Sequence, residues 1–333
     1  DYGQLGDGTT TDRSTPVAVT NMGSDVTAVA AGGWHTCAIK SGALYCWGRN
    51  YSGQLGDGTT TDRSTPVAVT NMGSGVTAVA TGAYHTCAIK SGALYCWGWN
   101  NDGQLGDGTT TNRSTPVAVQ GMGSGVTAVA SGDFHTCAIK SGALYCWGRN
   151  NVGQLGDGTT TDRSTPVAVQ GMDSGVTAVA AGGYHTCAIK SGALYCWGYN
   201  YYGQLGDWTW TNSSTPVAVV NMGSGVTAVA AGWAHTCAIK SGALYCWGYN
   251  YHGQLGDGTR TSRLTPVPVL FSAFTKTTPG NRAIGLPTNL VLRWVSHSGA
   301  DHYRYCVSST PGCIPNVSAG SGLSVTLNLS PGN

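Results

Sequence analysis

A unit of 50 residues recurs five times, starting at Asp1, Tyr51, Asn101, Asn151 and Tyr201, with a partial sixth copy from Tyr251 to about Leu270. A unit that short cannot bury a core alone, so neighbouring copies must stack, in a propeller or a solenoid. Each copy carries the unbroken stretch His-Thr-Cys-Ala-Ile-Lys-Ser-Gly-Ala-Leu-Tyr-Cys-Trp-Gly, beginning at His35, His85, His135, His185 and His235. Short β-rich runs alternate with Gly, Pro, Asn and Asp, and no long segment has apolar residues at helical spacing, so the chain reads as all-β. The 51 glycines suit many tight turns, and all 15 acidic residues are Asp, with none of the helix-favouring Glu. Asp1 falls inside a repeat motif and no signal peptide precedes it, as expected of a processed or truncated start.

Each copy reads as four short strands, which in the first are Thr15–Val19, Val26–Ala30, His35–Lys40 and Ala43–Gly48. Four antiparallel strands per unit make a propeller blade. The small side chains of Val26–Ala30 suit the crowded axis, so this strand is expected innermost. Ser41-Gly42 reads as a two-residue turn, and folding about it sets Cys37 opposite Cys46 at a non-hydrogen-bonded site, where side chains come closest. A cross-strand disulfide fits there, and so does one joining Cys87 to Cys96, Cys137 to Cys146, Cys187 to Cys196 and Cys237 to Cys246. Cys306 and Cys313 form a sixth close pair, expected to be bridged as well. Each repeat bridge would stabilise by roughly 2–3 kcal/mol by closing a short loop. A free buried cysteine is the competing reading, while the spacing argues against zinc. Six local pairs point to an oxidising, extracellular or cell-surface setting.

The pattern Gly-x-x-His-Thr-x-Ala-Ile … Leu-Tyr-x-Trp-Gly-x-Asn-x-x-Gly-Gln-Leu-Gly-Asp-Gly resembles the regulator-of-chromosome-condensation repeat over about 1–270. The resemblance implies a β-propeller, usually of seven blades. Only five complete hairpins are present here, so missing N-terminal repeats and a ring closed with five both stay open. The nuclear member of the family exchanges nucleotide on a small GTPase and binds chromatin. A secreted bacterial member, the β-lactamase-inhibitory propeller, binds protein through an aromatic-rich face. Disulfide-ready hairpins and a net charge of only +2 make this chain more similar to the secreted kind. Residues 271–333 differ, with strand-like runs at Leu290–Val295 (Trp294 a candidate core residue), His302–Ser308 and Leu323–Leu329. They resemble an incomplete fibronectin type III or immunoglobulin-like module. The expected architecture is therefore a repeat propeller over 1–270 followed by a partial β-sandwich over 271–333.

Variation between copies is concentrated around the invariant hairpin. Trp34, Tyr84, Phe134, Tyr184 and Trp233 lie just before it, and Arg49, Trp99, Arg149, Tyr199 and Tyr249 just after. Tyr51, Tyr201, Tyr202 and Tyr251 follow in the links. The hairpin register sets Trp34 opposite Arg49 and Tyr84 opposite Trp99 at the open end, so around a propeller all these residues would collect on one face. Tyr, Trp and Arg dominate binding hot spots and paratopes. Drift in surface loops is the bland alternative. Trp208 and Trp210, which replace Gly and Thr of other copies, would add a local patch.

Other functions find little footing. The basic residues are spread evenly by the repeat, without the clustered stripe that nucleic acid requires. No run of 18 apolar residues spans a membrane. The His35 series has no nucleophile beside it and reads as a structural hydrogen bond, so neither an enzyme nor a cofactor is expected. The loops of the Asp7–Asp12 type read as turns capped by side chains rather than as calcium sites, since the last position becomes Asn112, Asn212 and Ser262. Asn50, Asn112, Asn212, Asn316 and Asn328 begin glycosylation sequons. The expected function is a secreted or cell-surface module that binds a protein or glycan through the aromatic face. The alternative is self-association as a subunit of an extracellular fibre or surface layer, with copies completing the C-terminal sheet.

Overall fold

The invariant fourteen-residue stretch folds into a hairpin because its turn pair takes the left-handed backbone that matches strand twist, with φ of 50° at Ser41 and 75° at Gly42. The computed structural model describes residues 1–270 and, beyond them, the backbone of strands at 276–278, 289–294, 304–305, 317–318 and 324–328. The chain divides into two units, Asp1–Val269 and Leu270–Asn333. In the first blade, β1 (Val26–Ala31), β2 (His35–Lys40), β3 (Ala43–Gly48) and β4 (Arg63–Ala68) pair antiparallel in chain order. The same four strands recur in five blades, ending with Arg263–Pro268. Innermost strands of successive blades touch one another, which places β1 and its equivalents at the axis.

Pairing of β2 with β3 runs Lys40–Ala43, Ile39–Leu44, Ala38–Tyr45 and Cys37–Cys46. The two Cα atoms of the last pair are 4.1 Å apart and the sulfurs are bonded. Equivalent disulfides join Cys87–Cys96, Cys137–Cys146, Cys187–Cys196 and Cys237–Cys246. The five bridges of the repeats are thus in place. The sixth expected bridge, between Cys306 and Cys313, is not among them: the side chains of Cys306 and of Cys313 lie outside the described residues.

One expectation needs correction, and one of the two possibilities left open for the blade number is removed. Thr15–Val19 is not a strand. The outermost strand of each blade is donated by the next copy, so β4 pairs with β3 through Tyr45–Ala68 and Cys46–Val67. Thr15–Val19 has no strand of the β3 type to pair with, and the structural blade is therefore offset from the sequence repeat. Nor do five blades close a ring among the described residues. Ile239 on the outer flank of the fifth blade is 38% exposed, whereas Ile39, Ile89, Ile139 and Ile189 are buried in seams, and Val29 on the first blade is 68% exposed. In the C-terminal unit, Lys276–Thr278, Asn289–Trp294 and Ser324–Asn328 form one antiparallel sheet, and Arg304–Tyr305 pairs with Val317–Ser318. The expected sandwich core, Trp294 included, lies outside the described side chains.

Four seams join the five blades. In the first, Cys37, Ile39, Leu44 and Cys46 pack against Leu55, Val69, Met72, Val76, Ala88 and Trp97 of the next copy. The Gln54 carbonyl accepts from Trp97 Nε1 at 3.0 Å and from the Thr86 hydroxyl at 2.8 Å. Thr86 Oγ1 lies 2.8 Å from His35 Nε2. Because that hydroxyl gives its proton to Gln54, His35 must donate through Nε2, which fixes one neutral tautomer. Gly56 is needed where it stands. Its φ is +71°, and a Cβ there would come 2.5 Å from Trp97 Nε1. The same relay links His85 to Thr136, His135 to Thr186 and His185 to Thr236.

Burial pushes the imidazoles of His35 and His135 down to about 4 and those of His85 and His185 to about 3, with neighbouring imidazoles adding to the effect at His85 and His185. The folded state holds these groups neutral, while the unfolded chain takes up protons below about pH 6.5. Stability is thus fully present above that pH and falls with acid by about 1.4 kcal/mol per pH unit for each such histidine, down to the folded values. Denaturant midpoints should be flat from pH 8 to 7 and drop steeply between pH 6 and 4.5; an unchanged midpoint at pH 5 would refute the relay. Thr136→Val, which strands the His85 N–H, should cost about 1–3 kcal/mol. Thr36→Val should cost less in the same unfolding experiment, because no histidine among the described residues donates to it.

Candidate functional site

The variable residues stand on a rim built by the link between blades. Asn50 is its hub. Its Nδ2 donates to Asp57 Oδ1 (3.3 Å), to the Thr59 carbonyl (3.1 Å) and to the Thr61 carbonyl (3.1 Å). Its Oδ1 accepts from Leu55 N at 2.9 Å. Asp57 in turn caps Thr59 N at 2.9 Å and pairs with Arg63 at 2.9 Å. Burial would raise the Asp57 carboxyl, but hydrogen bonds from Thr59 and the Arg63 guanidinium hold it below the usual carboxylate range. The loop is thus a turn closed by its own side chains. Asn50 is buried with its amide engaged, which closes that sequon to glycosylation in the folded protein, while Asn112 and Asn212 are exposed. Asn316 lies outside the described residues, as does the side chain of Asn328.

One pair beyond the regular hairpin, Arg49 N donates to the Trp34 carbonyl at 2.9 Å, and Trp99 N to the Tyr84 carbonyl at 2.9 Å. The same bond joins Arg149 to Phe134 and Tyr199 to Tyr184, while Tyr249 bonds to Ala234 rather than to Trp233. Both variable groups therefore sit at the open end of each hairpin, opposite the Ser-Gly turn.

Around the first two blades, the Arg49 guanidinium lies 4.9 Å from the ring of Tyr2, 5.4 Å from Trp34 and 5.8 Å from Tyr84. Tyr84 contacts Trp99 at 6.4 Å. Across the third and fourth blades, Arg149 lies over Phe134 at 5.5 Å and Tyr184 at 5.6 Å. From there the rings run unbroken. Phe134 meets Tyr184, which meets Tyr199, which meets Tyr201 and Tyr202. Tyr202 touches Trp233 and Tyr249, and Tyr249 reaches Tyr251 and His252. Burial raises the Tyr199 phenol, with Tyr202 and Tyr201 adding to the effect.

Of the residues singled out from sequence, Tyr51, Trp208 and Trp210 have no ring partner among the described residues, and all three are exposed. Tyr2 was missed, and His252 stood among the variable positions without being chosen as a binding residue. Both occupy the link position of Tyr202, and that alignment is the signal that could have found them. Trp208 takes a left-handed backbone (φ 69°) where other copies have glycine and is 67% exposed, and Trp210 nearby is exposed too. Both belong to the loop that Asn200 holds beside Tyr201. A bulky residue in that conformation costs about 1 kcal/mol or more.

Known proteins share this architecture. The profile of the RCC1-like domain family matches residues 1–284. The structure of human WBSCR16 is similar at 25% identity with a TM-score of 0.65, over 74% of this chain and 67% of that one. Prp20p from Saccharomyces cerevisiae is similar in fold at 22% identity with a TM-score of 0.64, over 75% of this chain and 65% of that one. The chain thus spans about two thirds of the length of each. Yeast RCC1 (Prp20) bound to Kap60 superposes with a TM-score of 0.54 at 19% identity, over 75% of this chain and 77% of that one. No curated protein sequence matches the chain.

The ring network separates structural from free aromatics. Tyr201→Ser and Tyr251→Ser remove rings 65% and 63% exposed and should each shift stability by less than about 0.5 kcal/mol. Tyr202→Ser breaks contacts to Tyr199, Tyr201, Trp233 and Tyr249, and should cost about 1–3 kcal/mol by thermal unfolding.

Proposed function

The chain belongs to the RCC1-like domain family, and from that premise we propose that it is an extracellular or cell-surface module that binds another protein through the aromatic rim of its blades. The observation that carries this reading is the unbroken run of rings from Phe134 to Tyr251 on an otherwise repetitive scaffold. Tyrosine gives large, stiff contact area with a hydroxyl at its tip, so it anchors protein partners at low entropic cost. Most of these ring pairs meet edge to face, so that the edge of one ring covers a face of its neighbour. Sugars stack on open ring faces, so this packing favours a protein over a glycan. Among the structural neighbours, the report on Prp20p concerns its binding to Gsp1p and histones, and yeast RCC1 is seen bound to Kap60. Five disulfides support the extracellular setting. Among the described residues no helix is long and apolar enough to cross a membrane. The role is binding rather than catalysis.

The test compares the native chain with a variant carrying Tyr201→Ser, Trp233→Ser and Tyr251→Ser, in capture from extracellular protein fractions followed by affinity measurement on the purified partner. Binding should weaken at least about tenfold in the variant, as expected when hot-spot aromatics are truncated. Equal affinity would remove the rim from the interface, and capture confined to a glycan array would move the reading to carbohydrate.

Head-to-tail self-association is the second reading, favoured by the exposed flanks. The fifth blade presents Ile239 and the first presents Val26 and Val29, counterparts of residues that pack together in the seams. Such heterologous contacts propagate into filaments when they do not close. Light scattering across a concentration series checks this, and a strict monomer would rule it out.

A further inference from the structure

At the axis, the ends of the innermost strands and the residues after them line a cavity of about 170 Å³ on the rim side of the blades. Its wall is mostly glycine and alanine, so backbone faces the space. Asp133 is the exception in charge. The matching positions hold Gly33, Ala83, Gly183 and Trp233. Asp133 is partly buried, and burial alone pushes its carboxyl above the usual range, with no neighbouring cation or hydrogen-bond donor among the described residues to offset it. Beside it, Ser131 Oγ is buried without a hydrogen-bond partner among the described residues. Across the cavity, Trp233 lies over Gly183, where an added Cβ would come 2.7 Å from the indole Cδ1.

A partly buried carboxylate without a partner is a standing cost that copies with Gly or Ala at this place do not carry. Asp133 is the single carboxylate on the wall and no cluster of metal-ligating side chains stands among the described residues, which leaves little charge to hold calcium or magnesium. An organic cation fits better, because its charge meets Asp133, its N–H groups meet both oxygens, and its face or edge meets an indole. We propose that this axial cavity is a subsite for the guanidinium or ammonium head of a side chain from the partner protein, with Asp133 as counter-charge, Ser131 as hydrogen-bond acceptor and Trp233 as aromatic wall. The identity of the donor as a protein rests on the function proposed above; the cation chemistry of the cavity does not.

The experiment uses the purified chain and two small probes, n-butylguanidinium chloride and the neutral n-butylurea, followed by amide chemical shifts at Gly82, Gly132 and Gly182. The guanidinium should give saturable shifts at these cavity amides, and the urea should not. Asp133→Asn, which keeps shape and removes charge, should weaken guanidinium binding about tenfold or more. The same variant should unfold at a higher temperature than the native chain in the absence of probe, since an uncompensated charge is gone. The proposal falls if neither probe saturates, if the urea binds as well, if Asp133→Asn binds equally, or if that variant is destabilised, which would mean that the carboxylate is held within the chain. Loss of cation binding with protein capture intact would remove the subsite and leave the rim reading standing.

Discussion

One carbonyl oxygen in each link carries the architecture. The Gln54 carbonyl and its equivalents at Gln104, Gln154 and Gln204 each accept an indole N–H and a threonine hydroxyl from the following blade. The threonine is also met by a histidine from the preceding blade, so three consecutive segments of chain are fixed at one buried point. A four-stranded sheet of this size has two faces and can cover neither alone. The seam covers both, placing a disulfide, Ile and Leu of one blade against Trp, Met and Val of the next. The indole N–H, the threonine hydroxyl and the histidine Nε2 buried in the seam are each paired there, so the motif can be polar and must keep these residue types.

That division of labour frees the rim. Hairpin register is held by a cross-strand disulfide near its open end, and the link is held by Asn50 and its equivalents. Residues 34 and 49 of the first hairpin, residues 51 and 52 of the link that follows it, and their counterparts stand between these two fixed points. Their side chains lie outside the core clusters of the seams, so their identity can differ between copies while the seams stay the same. Rigid support beneath a changeable surface is what a recognition site requires.

Charge on the rim is handled by stacking rather than by salt bridges. Arg49 and Arg149 lie over aromatic rings, which shields their guanidinium groups and stiffens the ring clusters they join. The run of rings beyond Tyr199 carries no formal charge apart from the titratable His252. Asp133 is set apart at the axis with no cation beside it among the described residues. The surface therefore offers an apolar, hydroxyl-edged arc, with Asp133 as a negative point at the axis.

Much of this was legible in the order of residues. The period of 50, the Ser-Gly turn and two cysteines placed four pairs from that turn dictate a hairpin whose open end holds the variable residues, because strand register follows directly from turn geometry. The structural role of the His35 series was readable from its invariance between copies. What lay beyond the sequence was whatever depends on a neighbour. Which copy donates the outer strand is set by pairing across the link, and Thr15–Val19 failed as a strand for want of a partner rather than for want of propensity. The partner of His35 is 51 residues away, in the next blade. That Tyr2 and His252 join the rim, that Asn50 is buried, and that Asp133 faces the axis unpaired follow from the stacking of blades. A repeat specifies its own local fold, but burial and contact across seams are properties of adjacent copies, and only the tertiary structure brings those copies together.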